Sequence, residues 1–257
     1  VIVCTGGQSY PSTGSTGDGF GWLAAVGHTV YPPLPSLVAL TSGAEWVVRL
    51  QGLSLRNVRL TLARGKKTLF TEMGEMLFTH FGLSGPLILS GSCLLDPKDY
   101  AQNPLVTIDL KPALTEKELD ERIIRDFDEA KNKQLSNALG KLLPAKMIPV
   151  VIGRMLTDPK KPVHDITKEE RRKLVSILKA FTCTVTGTRG FDEAIITRGG
   201  VKTSAIDPKT MAVKGYQGLY VAGEMIDVDA MTGGFNLQIA WSTGQKAGIC
   251  HGLQSNP

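Results

Sequence analysis

Short apolar runs closed by glycine mark both ends of the chain, while its middle alternates apolar and polar positions and then turns helical in period. Val1–Cys4 leads directly into Thr5-Gly6-Gly7, the pattern of a buried strand ending in a turn where backbone can approach another group closely. Leu219–Ala222, set between Gly218 and Gly223, repeats that pattern near the other end. Glycines at 14, 17 and 19 precede a short helix predicted over Gly19–Val26. The segment 234–248 carries Ala240, Gly244, Ala247 and Gly248 at helical spacing, which predicts a helix able to pack closely on a neighbour.

Between these ends, Pro32, Pro33 and Pro35 mark an extended crossover. Val38–Leu40, Trp46–Leu50, Val58–Leu62, Thr68–Phe70 and Val106–Leu110 read as strands, and Gly74–Pro86 is a glycine-punctuated stretch leading to a helix at Leu87–Cys93. Thr115-x-x-Glu118 and Thr167-x-x-Glu170 are capping boxes, in which each hydroxyl can satisfy an orphan N–H. Leu119, Ile123, Phe127 and Ala130 share one face after the first box, as do Leu174, Leu178 and Phe181 after the second. Shorter helices are expected over 135–143 and 146–156. Strands return at Cys183–Thr186 and Ala194–Thr197, with Arg198-Gly199-Gly200-Val201 expected as a turn. The simplest organisation is an α/β core built from residues 1–30 and 215–257. A β-rich domain over 31–112 and 183–214 interrupts it, and a helical insert over 113–182 lies inside that domain.

Composition narrows the function classes. The 257 residues carry 29 Lys and Arg against 24 Asp and Glu, a net charge of +5 that permits polyanion binding without requiring it. The cations are spread through turns and charged helices, so a nucleic-acid partner is not expected. No apolar run reaches the ~18–20 residues of a membrane span and no signal-peptide pattern opens the chain, so no membrane partner is expected and a cytoplasmic location is. Cys4, Cys93, Cys183 and Cys250 never form CxxC, and the four histidines lack ligand spacing, so neither a metal site nor a dithiol redox centre is expected.

The candidate chemistry lies at the glycine turns. Thr5-Gly6-Gly7 and Gly223-Glu224 both fall at C-terminal ends of expected strands, the edge where open α/β sheets bind ligands. Asp227 offers a carboxylate to sugar-type hydroxyls. A helix opening after Gly233-Gly234 would turn its N–H groups and positive dipole end toward an electron-rich ligand.

Thr5-Gly6-Gly7 with TGSTGDG, FTHFGLSGP at 78–86, TRGGV at 197–201 and GLYVAGEMIDVDAMTGGFNLQIAWSTG at 218–244 resemble, in order along nearly the whole chain, the BaiN/YhiN-type flavoproteins. That family is described as NAD(P)/FAD-dependent oxidoreductases. The resemblance implies a glutathione-reductase-like FAD-binding core, discontinuous and incomplete in this chain, with the β-rich domain and its helical insert between the halves. It implies that Thr5, Gly6 and Gly7 lie by the adenosine and pyrophosphate of FAD, and Gly223, Glu224 and Asp227 by pyrophosphate and ribityl. Gly233 opens the turn to Gly234, Phe235 and Asn236, which it implies lie at the isoalloxazine.

The implied activity is hydride transfer between reduced nicotinamide, NAD(P)H, and a small-molecule substrate through the flavin. His80 and Arg198 occupy polar motif positions, but no catalytic residue is legible. A strand followed by G-x-G-x-x-G is absent, since Gly14 to Gly19 has another spacing, and the chain opens on Val1 inside an expected strand. The expectation is therefore a fragment of a longer flavoprotein. The alternatives are a flavin-associated nucleic-acid-modifying protein and a non-enzymatic fragment with a vacant cofactor cleft.

Overall fold

The computed structural model describes residues 1–255, and they form a mixed α/β structure. In chain order the first elements are β1 (Ile2–Val3), α1 (Asp18–Ala25), β2 (Val30–Ser36), β3 (Leu40–Thr41), α2 (Glu45–Arg49), β4 (Ser54–Arg64), β5 (Lys67–Phe78), β6 (Gly82–Ser84) and α3 (Pro86–Ser92). There follow β7 (Leu105–Asp109), α4 (Glu116–Glu129), α5 (Leu135–Ala138), α6 (Met147–Met155), α7 (Lys168–Lys179) and β8 (Phe181–Thr184). The last are β9 (Gly187–Thr188), β10 (Ile196–Val201), β11 (Tyr220–Val221) and α8 (Phe235–Ser255). Contacts divide the chain into two compact units. The first holds Val1–Ala39, Ile88–Cys93 and the chain from Thr188 onward; the second holds Leu40–Leu87 and Leu94–Gly187. These cuts differ from the expected boundaries: residues 31–39 and 188–214 group with the chain ends, and the helical stretch groups with the long strands.

In the first unit the two ends of the chain meet. β1 pairs parallel with β11, Ile2 opposite Tyr220 and Val3 opposite Val221, so the two apolar runs become neighbours as the sequence pattern predicts. Val3, Leu23, Val201, Tyr220, Val221, Met225 and Ala247 share the core beneath them. β2 pairs antiparallel with β10 despite Pro32, Pro33 and Pro35. Only one ladder uses β2 in its two-stranded sheet, so the missing proline N–H groups cost little there. The expected turn at Arg198–Val201 is instead the second half of β10, where the register shifts between Arg198 and Gly200. Gly200 takes φ +114°, and a Cβ on it would stand 2.6 Å from the Met225 carbonyl oxygen. A glycine bulge therefore replaces the turn.

In the second unit a seven-stranded sheet runs β8-β7-β4-β5-β6-β3-β9. The β4–β5 hairpin extends the expected strands at 58–62 and 68–70, since alternation continues to Phe78. Trp46–Leu50, expected as a strand, is instead helix α2 and its C-cap Leu50: Val47 and Leu50, three apart, are buried while Val48 is 51 % exposed. Trp46 stacks edge-on against Phe78 and Phe181, and the Arg154 guanidinium lies 4.3 Å from the Trp46 ring centroid. Both capping boxes form reciprocally. Glu118 N donates to Thr115 Oγ1 (3.3 Å) and Thr115 N to Glu118 Oε2 (2.8 Å), and Thr167 and Glu170 do the same. Leu119, Ile123 and Phe127 on α4 and Leu174 and Leu178 on α7 are buried, as their spacing predicts.

Candidate functional site

The first unit contains a cleft of about 390 Å³ whose walls include Leu37, Ile196, Thr197, Gly223, Glu224, Thr232, Gly233, Gly234, Asn236 and Ala240. It lies where β11 ends and α8 begins. Three glycines at the turns leave backbone without Cβ atoms along its wall, while Leu37, Ile195, Ile196, Met231 and Ile239 make it largely apolar.

Thr197, 2 % exposed, organises the site. Its Oγ1 accepts from Gln8 N (2.7 Å) and Ser9 N (3.2 Å), so the segment after β1 is tied to β10. Its own N–H donates to Glu224 Oε1, which fixes that carboxylate on the wall. The approach is close: a Cβ on Gly7 would stand 2.3 Å from Thr197 Oγ1 and 3.0 Å from Glu224 Cδ, so only glycine fits there. Gly6 takes φ +78°, the left-handed conformation that glycine adopts freely. Thr5 lies beside these groups, its Oγ1 donating to Met225 Sδ at 3.0 Å.

The α8 end is held by its own bonds. Asn236 lines the cleft, yet its amide is engaged with one residue, accepting from Ala230 N at 2.9 Å and donating to Ala230 O at 2.7 Å. Thr232 Oγ1 lies 2.8 Å from Ser90 Oγ of α3. Gly223 N donates to Thr243 Oγ1 (2.9 Å), joining the β11 turn to α8 one helical turn past Ile239.

Asp227 stands apart from the cleft wall. Its N–H donates to Val201 O (3.0 Å), and its neighbours are the Asp229 carboxylate, the Gly199 N–H and Arg198. Burial raises its pKa above the usual carboxylate value and Asp229 adds to the rise, against the bond from Gly199 and the charge of Arg198. Asp229 accepts from Ser36 Oγ at 3.1 Å, and Arg198 Nη1 donates to Cys93 O at 2.6 Å.

Of the ten residues singled out from sequence, Gly223, Glu224, Gly233, Gly234 and Asn236 line the cleft, and Gly7 packs against its wall through Thr197 and Glu224. Thr5, Gly6 and Asp227 do not line it, and Phe235 is 59 % exposed with its ring over Gly233. Sequence reasoning missed Thr197 and Thr232. Nothing local marks either, because the partners of both lie far away in sequence. His80, in β-rich FTHFG, belongs to the second unit and not to the cleft's unit. No cluster of His, Cys, Asp or Glu among the described residues can hold a metal ion, and no helix among them is long and apolar enough to cross a membrane.

A family model described as the HI0933-like protein barrel and H2TH domain matches residues 34–196. The chain is also similar to the 3-dehydro-bile acid delta(4,6)-reductase of Clostridium scindens, 28 % identical over 249 residues, 96 % of this chain and 61 % of the relative. It is 34 % identical over 245 residues to the ribosomal RNA dihydrouridine synthase of Haemophilus influenzae, covering 95 % of this chain and 58 % of that one. To the Escherichia coli protein of the same name it is 30 % identical over 246 residues, again 95 % and 58 %. The chain thus spans about three fifths of the length of these relatives. The family match covers more than half of the 257 residues, and the chain belongs to the HI0933-like family.

Proposed function

We propose that the chain is the ring-binding part of an FAD-dependent oxidoreductase of the BaiN/YhiN type, which passes hydride from a reduced nicotinamide through flavin to its substrate. The cleft carries this reading. Its volume is within the range of small-molecule sites, its surface is mostly apolar with a few placed polar groups, and it opens at the carboxyl end of a parallel strand pair. The names of the relatives, a reductase and two dihydrouridine synthases, both denote delivery of hydrogen to an unsaturated substrate.

The residues present fit a flat, largely apolar ring with polar edges. Leu37, Ile196, Met231 and Ile239 would pack against such a ring and exclude water from it. Glu224 spends Oε1 on Thr197 N and has no other hydrogen bond among the described residues, which leaves Oε2 to accept from a hydroxyl-bearing chain attached to the ring. The start of α8, opened by Gly233 at φ +132° and Gly234 at φ +84°, presents main-chain N–H groups and the positive dipole end to an electron-rich edge. When bound, flavin supplies two-electron hydride exchange, and the protein contributes binding, orientation and electrostatics. Thr5, Gly6, Gly7, Asp227 and Phe235 belong to the same proposal as residues around the remainder of the cofactor.

Titration of the chain with FAD tests it. Quenching of flavin fluorescence with a dissociation constant in the roughly micromolar range is expected, and Ala240→Trp, which fills the cleft, removes it. Flavin fluorescence unchanged by the unaltered protein at saturating concentration would overturn the reading.

A further inference from the structure

The hydroxyl side chains in and around the cleft are nearly all committed within the protein. Thr197 Oγ1 accepts from Gln8 N and Ser9 N and lies 3.1 Å from Ser9 Oγ, so with both its lone pairs taken it gives its proton to Ser9. Thr243 Oγ1 accepts from Gly223 N and donates to Ile239 O at 2.7 Å. Ser36 Oγ donates to Asp229, and Ser92 Oγ donates to Leu89 O (2.7 Å) while accepting from Val38 N (3.0 Å). Each of these four has a protein acceptor for its one proton.

Thr232 is different. Its Oγ1 lies 2.8 Å from Ser90 Oγ, and neither hydroxyl has another hydrogen bond among the described residues. Two hydroxyls carry two protons, and the bond between them uses one. Burial decides which proton is left over. Ser90, in the stretch of α3 that belongs to the first unit, is 5 % exposed, whereas Thr232 is half-buried on the cleft wall. With Thr232 as donor, the Ser90 proton would be shut in without an acceptor, and an unsatisfied buried donor is costly. With Ser90 as donor, its proton is satisfied and the spare one belongs to Thr232, at the surface of the cleft. The bond therefore runs from Ser90 to Thr232, and Thr232 faces the cleft as a donor.

We propose that Thr232 donates a hydrogen bond to the occupant of this cleft, oriented by Ser90 behind it, and that the atom it meets is a carbonyl oxygen or imine nitrogen on the polar edge of a flavin ring. The proposal rests on the oxidoreductase reading and deepens it by giving the cleft a fixed polarity. Glu224 offers an acceptor at one place on the wall and Thr232 a donor at another. A ligand with hydroxyls on its chain and acceptors on its ring complements both. A ring that has gained two electrons is the stronger acceptor, so a donor at its edge favours the reduced form. Thr232 thus binds the ring and tunes it, and Ser90 is a positioning residue.

Calorimetric titration of the chain with oxidised and with dithionite-reduced FAD, together with the midpoint potential of the bound flavin, tests it. Thr232→Val is expected to weaken binding of oxidised FAD about threefold and of reduced FAD about thirtyfold. The tenfold difference between them lowers the midpoint potential by about 30 mV. Thr232→Ser keeps the hydroxyl and restores the native potential. Ser90→Ala leaves that hydroxyl without its orienting donor and shifts the potential in the same direction, by about half as much. Ser92→Ala removes a hydroxyl of the same helix that has its own partners, and leaves the potential unchanged. The proposal is overturned if Thr232→Val keeps the native potential, if Thr232→Ser does not restore it, or if Ser92→Ala lowers it equally. Thermal melting of each variant separates a lost donor from a lost fold. If the unaltered chain takes up FAD and Thr232→Val behaves as it does, this proposal falls alone; if the unaltered chain takes up FAD in neither state, the oxidoreductase reading falls and the proposal with it.

Discussion

In the second unit β4 and β5 pair at nine positions and two helices open with reciprocal caps; in the first, β1 and β11 pair at two positions and β2 and β10 at five, and the cleft wall is set by close approaches such as Gly7 on Thr197. The contrast separates two ways of specifying structure. Long ladders and amphipathic helices spread their stabilisation over many residues, each replaceable in part. The cleft instead depends on a few atoms with no substitute, as binding sites do when loops must hold exact backbone positions.

The largest test of that contrast is a single methyl group. Gly7→Ala places a carbon 2.3 Å from Thr197 Oγ1, and a loss of about 3 kcal/mol is expected. Gly140→Ala in the second unit meets nothing within 4 Å and changes stability by less than about 0.5 kcal/mol. Denaturant midpoints compare them, and equal midpoints would erase the distinction.

Thr197→Val has the next largest effect. It keeps the shape but leaves the Gln8 and Ser9 N–H groups without their acceptor, at a cost of about 2 kcal/mol. Hydrogen exchange should quicken at those two amides while α4 and α7 stay protected; uniform quickening would show that the two units are not independent in this respect.

The smallest effect is one of pH. Burial and Asp229 raise the Asp227 pKa in the folded state, so the folded protein holds that proton more tightly than the unfolded chain. Stability contributed by Asp227 is therefore highest below the usual carboxylate range and falls as pH rises through it toward the folded value. Asp227→Asn keeps an acceptor for the Gly199 N–H and removes the buried charge. It should raise Tm at neutral pH, with the gain shrinking toward zero near about pH 3 to 4; a gain that persists there would assign the effect to packing instead.

The second unit's helices were the most legible part of the chain, because a capping box and a 3.6-residue apolar period are both local signals. Trp46–Leu50 misled because four apolar residues in five fit either period, and the choice was made by Phe78, Phe181 and Arg154, far away in sequence. Arg198–Val201 misled for the opposite reason: paired glycines usually break a ladder, but here a bulge lets β10 continue past them along β2. The cleft's glycines were legible as close-approach positions, and its turn at Gly223-Glu224 was found directly. Thr197 was not, since nothing local reveals that one hydroxyl will accept two amides from 188 and 189 residues away.

The pairing of Ile2 with Tyr220 sets an order of events during synthesis. Translation at about 5–20 residues per second leaves the first strand without its neighbour for some tens of seconds after it leaves the ribosome. All of Leu40–Gly187 emerges within that interval, with ladders closed by partners that have already been made. The scaffold can therefore mature first, while β1 and β2 wait for their partners β11 and β10 to be made. Nascent chains stalled near residue 190 should show the long hairpin protected and the N-terminal segment cut; protection of both would refute that sequence of assembly. The cleft would then be the last part of the molecule to exist.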